Sequence, residues 1–285
     1  LILFQLGDLI GAEHYFAAGL QYFDDPSYQR NPTGGVIAAF GTGSWIAWLL
    51  GHTDAARERE TQMMAAARGK NPFFEAFSDY SSAAIHQYMR EYELAEAIAE
   101  RGLDLSEKHQ FPQMAAYSRC ILGRARAELG RPVEGVALIR QAIADLGELG
   151  SNIGLSTWTA YLAEAQERAG TISEALETID QVLHSNSAKY PYRPEALRVR
   201  GELRLKLREP ETAEINFREA IALAQTMSAK AWELRATISL AQLIRKKGKP
   251  DEARTMLADV YNWFTEGFDT ADLKDAKALL DELST

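Results

Sequence analysis

The stretch Arg208-Glu-Pro-Glu-Thr-Ala213-Glu-Ile-Asn-Phe217-Arg-Glu-Ala220 decides the fold. It opens on a turn residue, sets Pro210 at a helix start, then places a small residue, an aromatic four positions on and another small residue three beyond. Pro at a first helical position gives up only an N–H that has no partner there. Spacings of four and three put Ala213, Phe217 and Ala220 on one helical face. The phrase recurs as Gly51…Ala56, Arg90…Ala95, Gly130…Gly135, Gly170…Ala175 and Gly248…Ala253, its small residues stepping by 39, 40, 40, 38 and 40 positions. Ile139, Ile179 and Leu257 take the place of Phe217, and Ala142, Val182 and Val260 that of Ala220. A truncated copy, Gly7…Ala12 with Phe16 and Gly19, opens the chain.

Upstream of each turn runs a second amphipathic segment, such as Ser118 to Leu129, Leu155 to Ala169 and Leu197 to Leu207, so each repeat is two helices joined by a short turn. Pro132 and Pro250 repeat the helix-start signal, and Thr171-Ile-Ser-Glu174 has capping-box spacing. A small residue where two helices cross lets their backbones approach, and a bulky one a turn later fills the space beside it. This pattern resembles the tetratricopeptide repeat: Leu197, Gly201, Ala213, Phe217 and Ala220 stand at its consensus positions 4, 8, 20, 24 and 27. One such unit cannot bury its own apolar face, so the units stack. The expected fold is all-α, a tetratricopeptide-like α-α superhelix of about six and a half helix-turn-helix repeats plus a C-terminal capping helix. It forms a single domain over 1–285, with a truncated first repeat over 1–30 and full repeats over roughly 33–70, 72–110, 112–150, 151–188, 191–228 and 229–266. The cap is placed at 269–283, with Leu273, Ala276, Leu279 and Leu280 on one face and Asp269 and Thr270 as its start. The apolar opening Leu1-Ile-Leu-Phe-Gln-Leu6 has no matching cap, and more protein is expected upstream. Two departures stand out: Gly135 replaces the usual Ala, and Arg59 or Glu60 falls where the first full repeat wants an apolar residue.

The chain has 285 residues, net charge −9 and a single Cys. An acidic chain lacks the basic footprint that nucleic acid demands, and one thiol supports neither a disulfide framework nor a thiolate zinc site. No apolar run is long enough to span a membrane, and the cytoplasm is the expected compartment. Gly41-Thr-Gly43-Ser44 is followed by Trp45, not by a phosphate-binding Lys, and the five His are scattered over separate repeats. Cys120 falls within a first helix and reads as a small core thiol. No nucleophile elbow or paired acid-base constellation is present, so the chain reads as a non-enzyme with no catalytic residue, no metal and no cofactor.

The concave face remains. Counted from the small-residue anchors, the groove positions of the first helices hold Trp45 and Trp48, then Phe77, Tyr80 and Gln87, then Tyr117, Cys120 and Arg124. Later repeats place Glu164 and Glu167, then Arg198 and Glu202, then Arg235, Gln242 and Arg245. The expected groove is aromatic toward the N-terminus and charged toward the C-terminus, suited to an extended peptide or a small molecule; packing of the aromatics between repeats is the alternative. Charge is segregated: residues 189–254 carry 15 basic against 9 acidic side chains, between acidic ends. A docking face for an acidic neighbour, or a merely solvated surface, fits this block better than a nucleic-acid site.

Ala231-Trp-Glu-Leu-Arg-Ala-Thr-Ile-Ser-Leu-Ala241, Val260-Tyr-Asn-Trp-Phe-Thr-Glu-Gly-Phe-Asp-Thr-Ala-Asp-Leu-Lys274 and Ala276-Lys-Ala-Leu-Leu-Asp-Glu-Leu283 resemble the C-terminal end of a bacterial multidomain family. Its members carry a predicted ATPase of the signal-transduction type, often with an adenylate/guanylate cyclase, kinase or DNA-binding domain. The resemblance implies that the repeats serve as a sensor or docking arm for protein or peptide segments, or for upstream domains of the same polypeptide. No catalytic residue of that family has a counterpart here. The alternative expectation is a small-molecule sensor that holds a metabolite in the aromatic part of the groove.

Overall fold

The computed structural model describes residues 1–23, 34–185 and 190–284. A four-residue turn of helix, α1 (Ile2–Gln5), and α2 (Leu9–Phe23) form the half repeat. Six helix pairs follow: α3 (Gly34–Leu49) with α4 (Thr53–Ala67), α5 (Pro72–Tyr88) with α6 (Tyr92–Lys108), and α7 (Pro112–Glu128) with α8 (Pro132–Glu148). The remaining pairs are α9 (Leu155–Arg168) with α10 (Ile172–Ser185), α11 (Arg193–Lys206) with α12 (Pro210–Thr226), and α13 (Lys230–Lys246) with α14 (Pro250–Tyr261); α15 (Ala271–Glu282) closes the stack. The described residues contain no strand, and no helix among them is long and apolar enough to cross a membrane. The expected junctions at 30/33 and 188/191 touch segments outside the described residues.

The turn residue of the recurring phrase has one conformational job. Gly7, Gly51, Arg90, Gly130, Gly170, Arg208 and Gly248 all take positive φ, between 63° and 91°. Each ends a helix with a Schellman pair of hydrogen bonds: at Gly130, its own N–H donates to Ala127 O and the next N–H, that of Arg131, reaches back to Arg126 O at 2.8 Å. That second bond turns the chain straight into the next helix. It also replaces the expected capping box: the Thr171 N–H donates to Gln166 O at 3.0 Å, and its hydroxyl donates to the same carbonyl.

The small anchors Ala56, Ala95, Ala175, Ala213 and Ala253 are fully buried, as are Ile139, Ile179, Phe217 and Leu257 one turn on. Where the first repeat carries Arg59 and Glu60, polar contacts stand in for packing. Arg59 pairs with Glu13 at 2.6 Å, donates to Gly43 O and stacks 4.2 Å over the Phe16 ring; Glu60 accepts from the Ser82 hydroxyl at 2.6 Å.

The superhelix then closes on itself. The first full repeat meets the last: Trp48 packs on Trp232 with ring centroids 4.9 Å apart, the Asp54 N–H donates to Glu266, and Arg57 pairs with Asp269 at 2.9 Å. Arg90, at the next turn, pairs with Asp275 at 2.6 Å and with Asp272 at 3.3 Å. The concave face is therefore an interior.

Candidate functional site: two chambers inside the superhelix

Every first helix contributes to a circuit of rings in that interior. Trp45 of α3 meets Tyr80 of α5, which meets Tyr117 of α7; Trp158 and Tyr161 of α9 follow, then Tyr192 at the start of α11 and Trp232 of α13. Trp232 returns the circuit to Trp48 on α3, and Tyr88 stacks on Trp48 at 5.1 Å. The successive centroids lie between 4.9 and 5.8 Å apart, within the range of attractive ring pairs.

This layer divides two chambers. One, of about 440 Å³, is lined by six basic side chains, Arg90, Arg124, Arg168, Arg198, Lys206 and Arg235, and by seven acidic ones, Glu128, Glu164, Glu167, Glu195, Glu202, Asp272 and Asp275. Its floor is a chain of buried ion pairs that crosses repeats. Arg124 (2% exposed) holds Glu164 of the next repeat at 2.7 Å, and the Tyr192 hydroxyl donates to the other Glu164 oxygen at 2.5 Å. Arg198 grips Glu195 with two N–H groups at 2.8 and 2.9 Å, the two-pronged geometry that makes Arg–carboxylate pairs strong. Arg235 joins the last repeat to the cap and to the first half of the stack: it pairs with Asp272 at 2.8 Å, lies 3.6 Å from Glu195 and donates to Tyr88 O. Its guanidinium also sits about 5 Å from the Trp48 and Trp232 rings, 5.1 and 5.0 Å respectively.

Burial acts on these groups in opposition to their partners. It would raise the Glu195 carboxyl, but Arg198, Arg235 and Arg124 together hold it down at about 2. Glu164 moves the other way: burial raises it, helped by Glu195, against Arg124 and the Tyr192 hydroxyl. Burial opposes the charge on Arg124, Arg198 and Arg235, and their carboxylates raise all three above the usual guanidinium value. Burial pushes the Cys120 thiol up, which removes its nucleophilicity. No described group of His, Cys, Asp and Glu side chains is arranged to hold a metal ion.

The second chamber, of about 240 Å³, lies on the other side of Tyr88, Tyr161 and Tyr192. Trp45, Tyr80, Tyr117 and Trp158 line it, with Phe4 and Ile153 beside them, and no charged side chain among the described residues does.

The sequence-predicted residues thus divide. Trp45, Tyr80 and Tyr117 line the aromatic chamber; Arg124, Arg198, Glu202 and Arg235 line the charged one. The expected order, aromatic N-terminal end and charged C-terminal end, is corrected: rings come from every first helix up to Trp232, and the two chemistries lie on opposite sides of that layer. Trp48, at 3% exposed, is sealed by Trp232 and Tyr88 and lines neither chamber, nor does half-buried Phe77, which packs edge-on to Tyr80. Arg245 lies outside both and pairs with Glu282 of α15. Glu195 was missed, although it stands at the same repeat phase as Phe77, Tyr117 and Arg235, eighteen residues before its anchor Ala213. Arg90, Asp272 and Asp275 enter through closure, which no local pattern announces.

Much of the basic block of residues 189–254 is paired with neighbouring acids: Lys206 with Glu167, Arg200 with Glu219, Arg204 with Glu209 and Lys247 with Glu214.

No protein-family profile matches the chain. An uncharacterised protein of Rhizobium meliloti (strain 1021) is 24% identical over 249 residues, 84% of this chain, and the chain spans 24% of that relative's length. Among solved structures, NprR in complex with its cognate peptide NprX superposes with a TM-score of 0.64 at 12% identity, over 97% of this chain and 80% of that one. A Rap protein complexed with competence and sporulation factor gives 0.63 at 11% identity, over 97% and 85%. A tetratricopeptide repeat protein from Parabacteroides merdae gives 0.54 at 13%, over 98% and 93%. The fold is that of a tetratricopeptide-like solenoid.

Proposed function

We propose that this solenoid is a non-enzymatic regulatory module that binds a peptide or protein segment in its charged chamber. The observation that carries the reading is the chamber's mixed lining. Six basic and seven acidic side chains, none of them in a catalytic arrangement, present both signs of charge within about 440 Å³. A polyanion such as a nucleotide finds no net positive field there, whereas a zwitterionic chain with amide donors and acceptors finds a partner for each group. The complexes of NprR with its cognate peptide NprX and of a Rap protein with competence and sporulation factor support the same reading.

Occupancy acts through closure. A ligand that competes for Arg235 or Asp272 touches the groups that join α13 and α15 to the Tyr88 carbonyl and Arg90. It therefore favours one of two arrangements of the ends, open or closed, by its difference in affinity for them. We read this chain as the repeat arm of a larger cytoplasmic bacterial protein; a relative of which it spans 24% supports a multidomain setting. That the remainder is a signalling ATPase or nucleotide cyclase rests on the resemblance of the C-terminal stretch alone.

The test is selection of peptides from a displayed random library, followed by anisotropy titrations. Lys206→Ala changes the rim of the chamber without touching the buried pairs at its floor, Glu202→Ala takes from the floor only its 3.5 Å contact with Arg198, whose grip on Glu195 remains, and each is expected to weaken selected peptides several-fold. Peptides that bind both variants as tightly as the parent would place the site elsewhere.

A further inference from the structure

The aromatic chamber has a property that packing alone does not account for. Tyr190 lines it and is only 7% exposed, yet its hydroxyl has no hydrogen-bond partner among the described residues. A buried hydroxyl without a partner is costly, so its retention beside a cavity points to a group that arrives from outside. Of the buried polar groups beside it, the Trp45 indole N–H donates to Ser81 O, that of Trp158 donates to Ile153 O, and the Tyr117 hydroxyl accepts from Gln113, while the polar side chains Gln5, Asn152, Ser156 and Thr157 lie at its exposed or half-buried rim. Tyr192 spends its proton on Glu164.

We propose that this chamber is a second ligand site, independent of the charged one, for a neutral aromatic ring bearing one hydrogen-bonding substituent, of which Tyr190 is the polar partner. Size sets the scale of the ligand. A dry apolar cavity of about 150 Å³ takes a single benzene ring, so about 240 Å³ accommodates a substituted or bicyclic ring. The walls set its chemistry. Ring faces and edges at 5–6 Å spacings offer offset-stacked and edge-on contacts to a flat guest. A cation would gain ring contacts but no counter-charge, because no carboxylate among the described residues lines the chamber and Glu164, across Tyr192, is already held by Arg124. A phenol or indole satisfies both the rings and Tyr190.

Calorimetric titration of the full chain with 4-methylphenol, toluene, N-acetyltyrosinamide and tetramethylammonium tests this. Saturable one-to-one binding of 4-methylphenol is expected, with affinity about fivefold lower in Tyr190→Phe, the loss of one neutral hydrogen bond. Toluene should bind the parent and Tyr190→Phe alike. A preference for N-acetyltyrosinamide over 4-methylphenol assigns the ring to a polypeptide side chain; the reverse assigns it to a free small molecule, and either upholds the site. Ala84→Leu, which fills the chamber from α5, should abolish binding. Because Tyr190→Phe removes only an unpartnered oxygen, it should fold with undiminished stability and so remains informative if Ala84→Leu does not fold. No saturable binding of either phenol, equal affinity for 4-methylphenol in parent and Tyr190→Phe, or tighter binding of tetramethylammonium would overturn the proposal.

Discussion

Restoring the consensus at position 135 should destabilise this protein. Gly135 of α8 faces Gly123 of α7, and the two backbones meet. A Cβ added at Gly135 would lie 2.4 Å from the Gly123 carbonyl oxygen and 2.9 Å from the Ala127 Cβ; one added at Gly123 would lie 2.8 Å from the Gly135 oxygen. Neither neighbour is a flexible side-chain end. Ordinary contact begins near 3.4 Å, so α7 and α8 would have to part by about 1 Å, which loosens the fully buried Ile139 and Ala142 on the same face. Alanine gains about 1 kcal/mol over glycine in a helix interior, while overpacking against a rigid neighbour costs typically about 1–3 kcal/mol, and loosened packing adds to it. A net loss of about 1–2 kcal/mol is expected for Gly135→Ala. The same helix supplies the control: Gly147 is exposed and a Cβ there meets nothing within 4 Å. Gly147→Ala should therefore stabilise by about 0.5–1 kcal/mol. At about 2–4 °C per kcal/mol for a chain of this order, the two variants should melt about 3–12 °C apart, on opposite sides of the parent, by circular dichroism and by tryptophan fluorescence. If Gly135→Ala raises the melting temperature as Gly147→Ala does, the close approach of α7 and α8 is wrong.

Closure and the buried charges make two further predictions. Asp272→Asn removes the nearest carboxylate of Arg235 and leaves Arg90 with Asp275 alone and Arg235 with Glu195 at 3.6 Å; removing one member of a buried pair costs up to about 3–5 kcal/mol, and limited proteolysis should then cut the Tyr261–Ala271 connection at protease concentrations that leave the parent intact. Glu195 ties stability to pH. Its folded value, about 2, lies below its ordinary 4.5, so the folded state binds fewer protons in that interval and stability falls as pH drops from 4.5 toward 2, by about 3 kcal/mol in all. Urea midpoints at pH 6, 4 and 3 should show this slope in the parent and a slope smaller by about one proton in Glu195→Gln; an unchanged slope would remove Glu195 from the account.

The repeat was legible because its signals are local. A turn residue, an anchor and a bulky partner recur within a dozen positions, and every turn residue so found, Arg90 and Arg208 included, takes the positive φ that ends its helix. The site was legible only where it follows repeat phase, as Arg124, Arg198, Glu202 and Arg235 do. Whether a concave face is a groove or an interior depends on the small rotation from each repeat to the next, summed over six repeats, and no single residue encodes it. The consequences, Trp48 against Trp232 and Arg90 against Asp275 across 185 positions, therefore stayed hidden, and Trp48 reads as a groove residue until the ends are seen to meet. Gly135 shows the same limit on a smaller scale: the departure from Ala is visible in the sequence, but its cause, a facing glycine on α7, is a property of the packed pair.

The central claim is that the superhelix binds its peptide inside, in the charged chamber. The most direct measurement places a photo-crosslinking residue at Gln242, an exposed side chain on the chamber wall, and in a second protein at Gln62, exposed on α4 away from it. With a selected peptide bound, the account predicts strong crosslinking from position 242, none above background from position 62, and loss of the 242 product on adding unlabelled peptide. Efficient crosslinking from 62 with none from 242 would contradict it.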